Sequence, residues 1–131
     1  MKSFTIFFTL LLTGCSASGA PNPAKQESPQ VRAGLLLAEK SQCHSCHVLD
    51  RKVIGPSWKD ISARYNREIA SGKISEEQVI AALEKKIAMG GKGNWIPETG
   101  GMSMPPSYPK VSKENIGKLA IFILSLGKGS N

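Results

Sequence analysis

Five consecutive residues constrain this chain more than any others: Cys43-His44-Ser45-Cys46-His47. Two thiols three positions apart, followed at once by an imidazole, leave few chemistries open. A structural zinc site needs four ligands, usually as two separated pairs. Here His44 and His47 are the only histidines, and Cys15 is the only other cysteine. A dithiol redox pair belongs at a strand-to-helix turn of an α/β domain, and no alternating strand pattern occurs in the sequence. What remains is C-x-x-C-H as the attachment signature for c-type haem. Each thiol would add across one porphyrin vinyl group, and one helical turn lets Cys43 and Cys46 reach both. His47 would then fall beneath the iron and ligate it, while His44, inside the loop, reads as a spacer.

The other axial position follows by elimination. With no third histidine it must be methionine, a weaker ligand, or open. Met1 belongs to the leader and Met89 sits at helical spacing, where a methionine is ordinarily packing. Met102 and Met104 remain, both in one long loop. Met104 is preferred because Pro105-Pro106 stiffen the chain behind it, with Met102 as the alternative.

The N-terminus carries its own signals. Phe4 to Leu12 (FTIFFTLLL) is an apolar run behind Lys2. It is too short to span a bilayer, which takes about 20 apolar residues, but it fits a secretory signal peptide. It ends in Leu12-Thr13-Gly14-Cys15, which looks like a bacterial lipoprotein box. Residues 1–14 are therefore expected to be removed and Cys15 to be lipidated, with an ordinary signal peptide as the alternative. Two or more acyl chains make a stable anchor. Residues 16–28 (SASGAPNPAKQES) have almost nothing to bury and read as a tether reaching about 20 Å as a coil. Loss of Lys2 with residues 1–14 takes the formal net charge from +7 to +6, and an exported, tethered domain of that charge suits an acidic protein partner. Nucleic acid is not expected, because no basic run is interleaved with aromatics.

The folded domain is expected over residues 29–131 and to be all-α. Ser28 caps a helix with Pro29 at its first position, running to about Lys40. A short helix from Ser57 to Tyr65 aligns Trp58, Ile61 and Tyr65. Ser75-Glu76-Glu77-Gln78 has the form of a capping box and opens a third helix, with Gly90-Gly91 closing it. Ser112 starts the last helix, in which Ile116, Leu119, Ala120 and Ile123 form a stripe and Gly127 supplies the stop. Gly90 to Val111 is expected to be a long irregular loop. Four short helices with only 6% aromatic residues make a thin core, and such domains usually need a bulky buried group.

These residues resemble the small bacterial class I cytochromes c over about residues 31–126. Gly34-x-x-Leu37, Cys43-x-x-Cys46-His47, Ile54-Gly55-Pro56, Gly93-Asn94-Trp95 and Met104-Pro105-Pro106 follow one another in family order. The resemblance implies about four short helices wrapped around one covalent haem c. It implies that the Pro56 carbonyl accepts a hydrogen bond from the His47 ring, that Trp95 bonds a haem propionate, and that Lys86 does likewise. Plain core packing is the alternative for Trp95 and Trp58. Gly34 would allow close crossing of the first and last helices. The stretch between Trp95 and Met104 (IPETGGMS) is longer than the resemblance leads one to expect and carries the extra Met102.

The function so implied is single-electron carriage by a lipid-anchored monohaem protein, not enzymatic turnover. Partners implied by resemblance are an oxidase, a quinol–cytochrome c oxidoreductase or a periplasmic reductase. The rival reading is a haem gas sensor or peroxidase-like protein with an open sixth site. A third is a haem-bearing anchor subunit of a larger complex.

Overall fold

The structure, a computed structural model, describes residues 28–93 and 95–128. The expected leader, Cys15, tether residues 16–27, Asn94 and residues 129–131 lie outside the described residues. Five helices appear in order: α1 (Pro29–Lys40), α2 (Trp58–Ala70), α3 (Glu76–Met89), α4 (Ile96–Thr99) and α5 (Lys113–Ser125), with a 3-10 turn at Cys43–Ser45. Among the described residues only two isolated bridges, His47 with Lys52 and Gly91 with Met104, pair extended backbone. No described helix is long and apolar enough to cross a membrane.

The four longer helices start by one device. Ser28, Ser57, Ser75 and Ser112 each accept the backbone N–H of the third helical residue on their side-chain oxygen. Each bond satisfies a donor that the helix start leaves orphaned, and losing such a cap costs about 1 kcal/mol. At Ser75 the box is complete, because the Gln78 side chain accepts the Ser75 N–H at 2.9 Å.

The last helix organises the domain: α5 touches α1, α2 and α3. It buries Ile116, Leu119, Ala120, Phe122, Ile123 and Leu124, and each large apolar side chain so removed from water contributes roughly 1.5–3 kcal/mol. Phe122 lies against Gly34 of α1, so close that a Cβ there would stand 2.1 Å from Phe122 Cδ2. On its other side Phe122 meets Trp58 edge-on, with ring centroids 5.6 Å apart. A buried polar clasp joins α2 to the end of α5. The Ser62 hydroxyl donates to the Leu124 carbonyl at 2.9 Å and accepts the Gly127 N–H at 2.7 Å. Asn66 Nδ2 donates to the same carbonyl at 3.1 Å.

Two elements differ from the sequence expectation. The second helix continues past Tyr65 to Ala70, held by the Asn66 bond to α5 and by Ile69 against the core, and supported by an Arg64–Glu68 pair at 3.5 Å. It stops where Gly72 takes φ +72°. The long loop also contains α4, a single turn in which the Trp95 carbonyl accepts from the Glu98 and Thr99 amides and the Thr99 hydroxyl. Gly100, at φ +61°, ends it.

Candidate functional site

A cleft of about 430 Å³ opens between two stretches of irregular chain, floored by Ile61 of α2 and Leu83 of α3. Cys46, His47 and Ile54-Gly55-Pro56 contribute from the first stretch. Gly91-Lys92-Gly93, Trp95 and Met102 to Pro105 contribute from the second. The walls are mostly apolar, with an imidazole, two thioethers and two lysines among them.

The local chain explains how His47 arrives there. Gln42 ends α1 in the left-handed region at φ +61°, a conformation that costs a non-glycine residue roughly 1–2 kcal/mol. That reversal throws Cys43 to Ser45 into the 3-10 turn and delivers Cys46 and His47 to the cleft. The ring is then held on several sides. Its Nδ1 lies 2.8 Å from the Pro56 carbonyl oxygen. A carbonyl can only accept, so Nδ1–H donates to it, and in the neutral ring Nε2 keeps the lone pair that a metal requires. Trp58 stacks alongside, with centroids 6.5 Å apart and planes 17° from parallel. Gly55 abuts the ring, where a Cβ would come within 2.4 Å of His47 Cε1. The series Gly34, Phe122, Trp58, His47 thus runs in direct contact from the α1–α5 crossing to the imidazole.

The two methionines are held differently. Met104 is half-buried against the core. Its N–H donates to the Gly91 carbonyl at 3.2 Å and its carbonyl accepts the Gly91 N–H at 2.8 Å. Gly90, at φ +65°, lets this hairpin-like contact close, since a Cβ there would lie 2.2 Å from the Met104 carbonyl oxygen. Met102 lines the same cleft but is 60% exposed.

Lys86 and Trp95 both line the cleft. Two of the three Lys86 ammonium donors go to the Gly91 and Lys92 carbonyls, at 2.5 and 2.9 Å, so one donor remains for another acceptor. Arg64 lies over the Trp95 ring at 5.1 Å from its centroid, a cation–π contact that fixes the indole plane. Of the two motif cysteines, both unpaired, Cys46 lines the cleft. Cys43 is half-buried and its Sγ approaches the Ser41 carbonyl at 3.8 Å. Burial pushes the Cys43 thiol up, and the nearby Cys46 adds to the effect. His44 is exposed.

Tyr65 is a cleft residue that sequence reasoning treated only as part of a helical stripe. Burial raises its phenol above the ordinary value, partly opposed by the Arg64 charge. Its spacing from Ile61, one helical turn earlier, is the signal that it shares the floor's face. Gly55 belongs to the Ile54-Gly55-Pro56 motif, but its contact with the ring joins residues that no local pattern links.

Apolar walls, a neutral imidazole nitrogen, thioether sulfur and basic or aromatic donors at the rim suit a flat apolar macrocycle with iron at its centre and carboxylates at its edge. A helical domain built around such a slot defines a haem-carrying redox protein. The family model for cytochrome c matches residues 31–127, and the chain belongs to that family. It is 34% identical over 99 residues to cytochrome c-551 of Allochromatium vinosum, covering 76% of this chain and 92% of that protein. Cytochrome c-551 of Azotobacter vinelandii is 36% identical over 92 residues, 70% of this chain and 95% of the relative. The crystal structure of Nitrosomonas europaea cytochrome c552 superposes with a TM-score of 0.57 at 35% identity, covering 70% of this chain and 98% of that one. The protein is thus a small class I monohaem cytochrome c with one covalent haem c, an electron carrier and not an enzyme.

Proposed function

We propose that the protein is a membrane-tethered cytochrome in which Cys43 and Cys46 attach the haem, His47 and Met104 ligate it, and Cys15 carries the lipid. The observation that carries this reading is the 2.8 Å contact of His47 Nδ1 with the Pro56 carbonyl, which leaves Nε2 as the donor atom. Haem so ligated supplies a one-electron couple whose potential methionine ligation raises. The residues around it do the remaining work. Pro56, Gly55 and Trp58 hold the imidazole in one orientation, which keeps the rearrangement between oxidation states small. The Gly91–Met104 bridge holds the thioether from the other stretch of chain. Trp95 and the spare Lys86 donor would take the propionates.

The sequence features of the N-terminus support export and anchoring to a bacterial membrane, with the domain facing the periplasm or cell exterior. The net charge, +6 once Lys2 leaves with residues 1–14, favours a partner with an acidic docking surface, an oxidase, a quinol–cytochrome c oxidoreductase or a periplasmic reductase. Transfer to such a partner slows as salt screens the attraction. Mass spectrometry of the protein matured in a cytochrome-competent host tests the assignment. The domain should carry haem that acid–acetone does not extract, and that attachment should fall to one thioether in Cys43→Ala or Cys46→Ala. Acyl chains on Cys15, absent in Cys15→Ser, test the anchor. A haem-free product, or one whose haem is extracted intact from the wild type, refutes the reading.

A further inference from the structure

We infer that Met102 is a second axial ligand held in reserve, able to take the position of Met104 in the same cleft. The inference rests on the assignment of Met104 made above. Its first ground is placement: both thioethers line one cleft, and two residues of chain cannot separate their Cα atoms by more than about 7 Å. Its second ground is the contrast in how they are held. Met104 is packed against the core and bonded through both backbone groups to Gly91. Met102 is 60% exposed, and its described backbone bond is a single one, from its N–H to the Thr99 carbonyl at 3.2 Å. A preorganised sulfur therefore wins in the resting protein, and an unrestrained one stands beside it.

The third ground is a hinge. Gly100 and Gly101 precede Met102 at φ +61° and +79°, and a Cβ on either would meet nothing within 4 Å. Glycine crosses φ/ψ space at little steric cost, and open space lies beside both Cα positions. The chain can swing the Met102 side chain inward while the bridge at Gly91 stays closed. A sulfur tethered this near competes at the high effective concentration of an intramolecular ligand. The two ligands are chemically the same, so the exchange preserves the type of site. It also closes the sixth position to small exogenous ligands and peroxides when the Met104 bond is broken, which guards an electron carrier against adventitious peroxidase chemistry.

The test uses the matured holoprotein and three variants, with the far-red thioether-to-iron charge-transfer band of the oxidised form as readout. Met104→Leu conserves volume and spares the fold. It should keep the band, Met102→Ala should keep it, and Met102→Ala/Met104→Leu should lose it. Imidazole should bind Met104→Leu at least about tenfold more weakly than the double variant, because a site closed nine-tenths of the time forfeits that factor in apparent affinity. Loss of the band in Met104→Leu, with the helical circular dichroism intact, overturns the inference and leaves the Met104 assignment standing. Loss of the band in Met102→Ala alone overturns both. Should Met104→Leu fail to fold, wild-type protein labelled with methyl-13C methionine answers the question. Exchange between the shifted ligand methyl and the Met102 methyl is expected in the oxidised form, where the thioether–iron bond is the weaker, and its absence overturns the inference.

Discussion

Substituting Gly55 by alanine places one methyl group where the imidazole now lies. The new Cβ would stand 2.4, 2.8 and 2.9 Å from His47 Cε1, Nδ1 and Nε2, against the 3.5–4.0 Å at which such atoms are at rest. Gly55 cannot retreat, because its N–H donates to the Cys46 carbonyl at 2.8 Å and its own carbonyl accepts from Val53 at 3.3 Å. The ring must therefore move by about 1 Å, away from its contact with the Pro56 carbonyl. Overpacking of this kind costs about 1–3 kcal/mol, and loss of the hydrogen bond adds about 0.5–1.5 kcal/mol. Alanine's smaller unfolded-state entropy returns about 0.4–1 kcal/mol. The expected net loss is about 1–3 kcal/mol, a fall of about 1 M in the urea midpoint at the slopes usual for small domains. The reduction potential should also rise, since a ligand without its Nδ1–H partner is less basic and favours the ferric state less. Gly117→Ala serves as control. There the Cβ meets only the mobile end of Glu84 at 3.1 Å, and helix propensity should leave stability equal or up to about 1 kcal/mol higher. A Gly55→Ala protein as stable as the wild type, or one destabilised with an unchanged potential, refutes the reasoning.

Gly34→Ala should lower the urea midpoint although alanine favours helices by about 1 kcal/mol. The added methyl meets Phe122 at its Cβ, Cγ and Cδ2, which cannot yield without moving α5, and a rise in midpoint would show the crossing to be looser than described. Ser62→Ala strands the Gly127 N–H and should cost about 1–3 kcal/mol in the same measurement, with Asn66 still serving the Leu124 carbonyl. The raised Tyr65 phenol means the folded state holds that proton more tightly than the unfolded chain. Its contribution to stability is intact below about pH 10, the unfolded value, and is lost as pH climbs through the raised one. An ultraviolet titration should show a late tyrosine step that disappears in Tyr65→Phe.

The elements legible in the chain are those whose causes are local. Ser28, Ser57, Ser75 and Ser112 mark four helix starts because a cap joins residues three apart, a relation that sequence displays directly. The Cys43-to-His47 pentad names its cofactor because spacing alone selects among thiol chemistries. Other elements have causes that run through space. The second helix continues past Tyr65 because Asn66 reaches Leu124, a bond no sequence pattern announces, and because Ile69, one turn beyond Tyr65, packs on the core. α4 forms because three donors converge on the Trp95 carbonyl within what reads as a glycine- and proline-rich loop.

By itself, then, the sequence determined an all-α chain, its helix starts, its C-x-x-C-H motif and the two methionines of one loop. Only the tertiary structure decided that Phe122 and Trp58 connect Gly34 to the His47 ring, that Gly55 limits where this ring can sit, and that Gly91 grips Met104 while Met102 stays loose. The reason is one of range. Hydrogen bonds and turns over three or four residues are written in adjacent letters. Contacts between residues 62 and 124, or 34 and 122, exist only once α5 has packed against its neighbours and chosen which side chains meet.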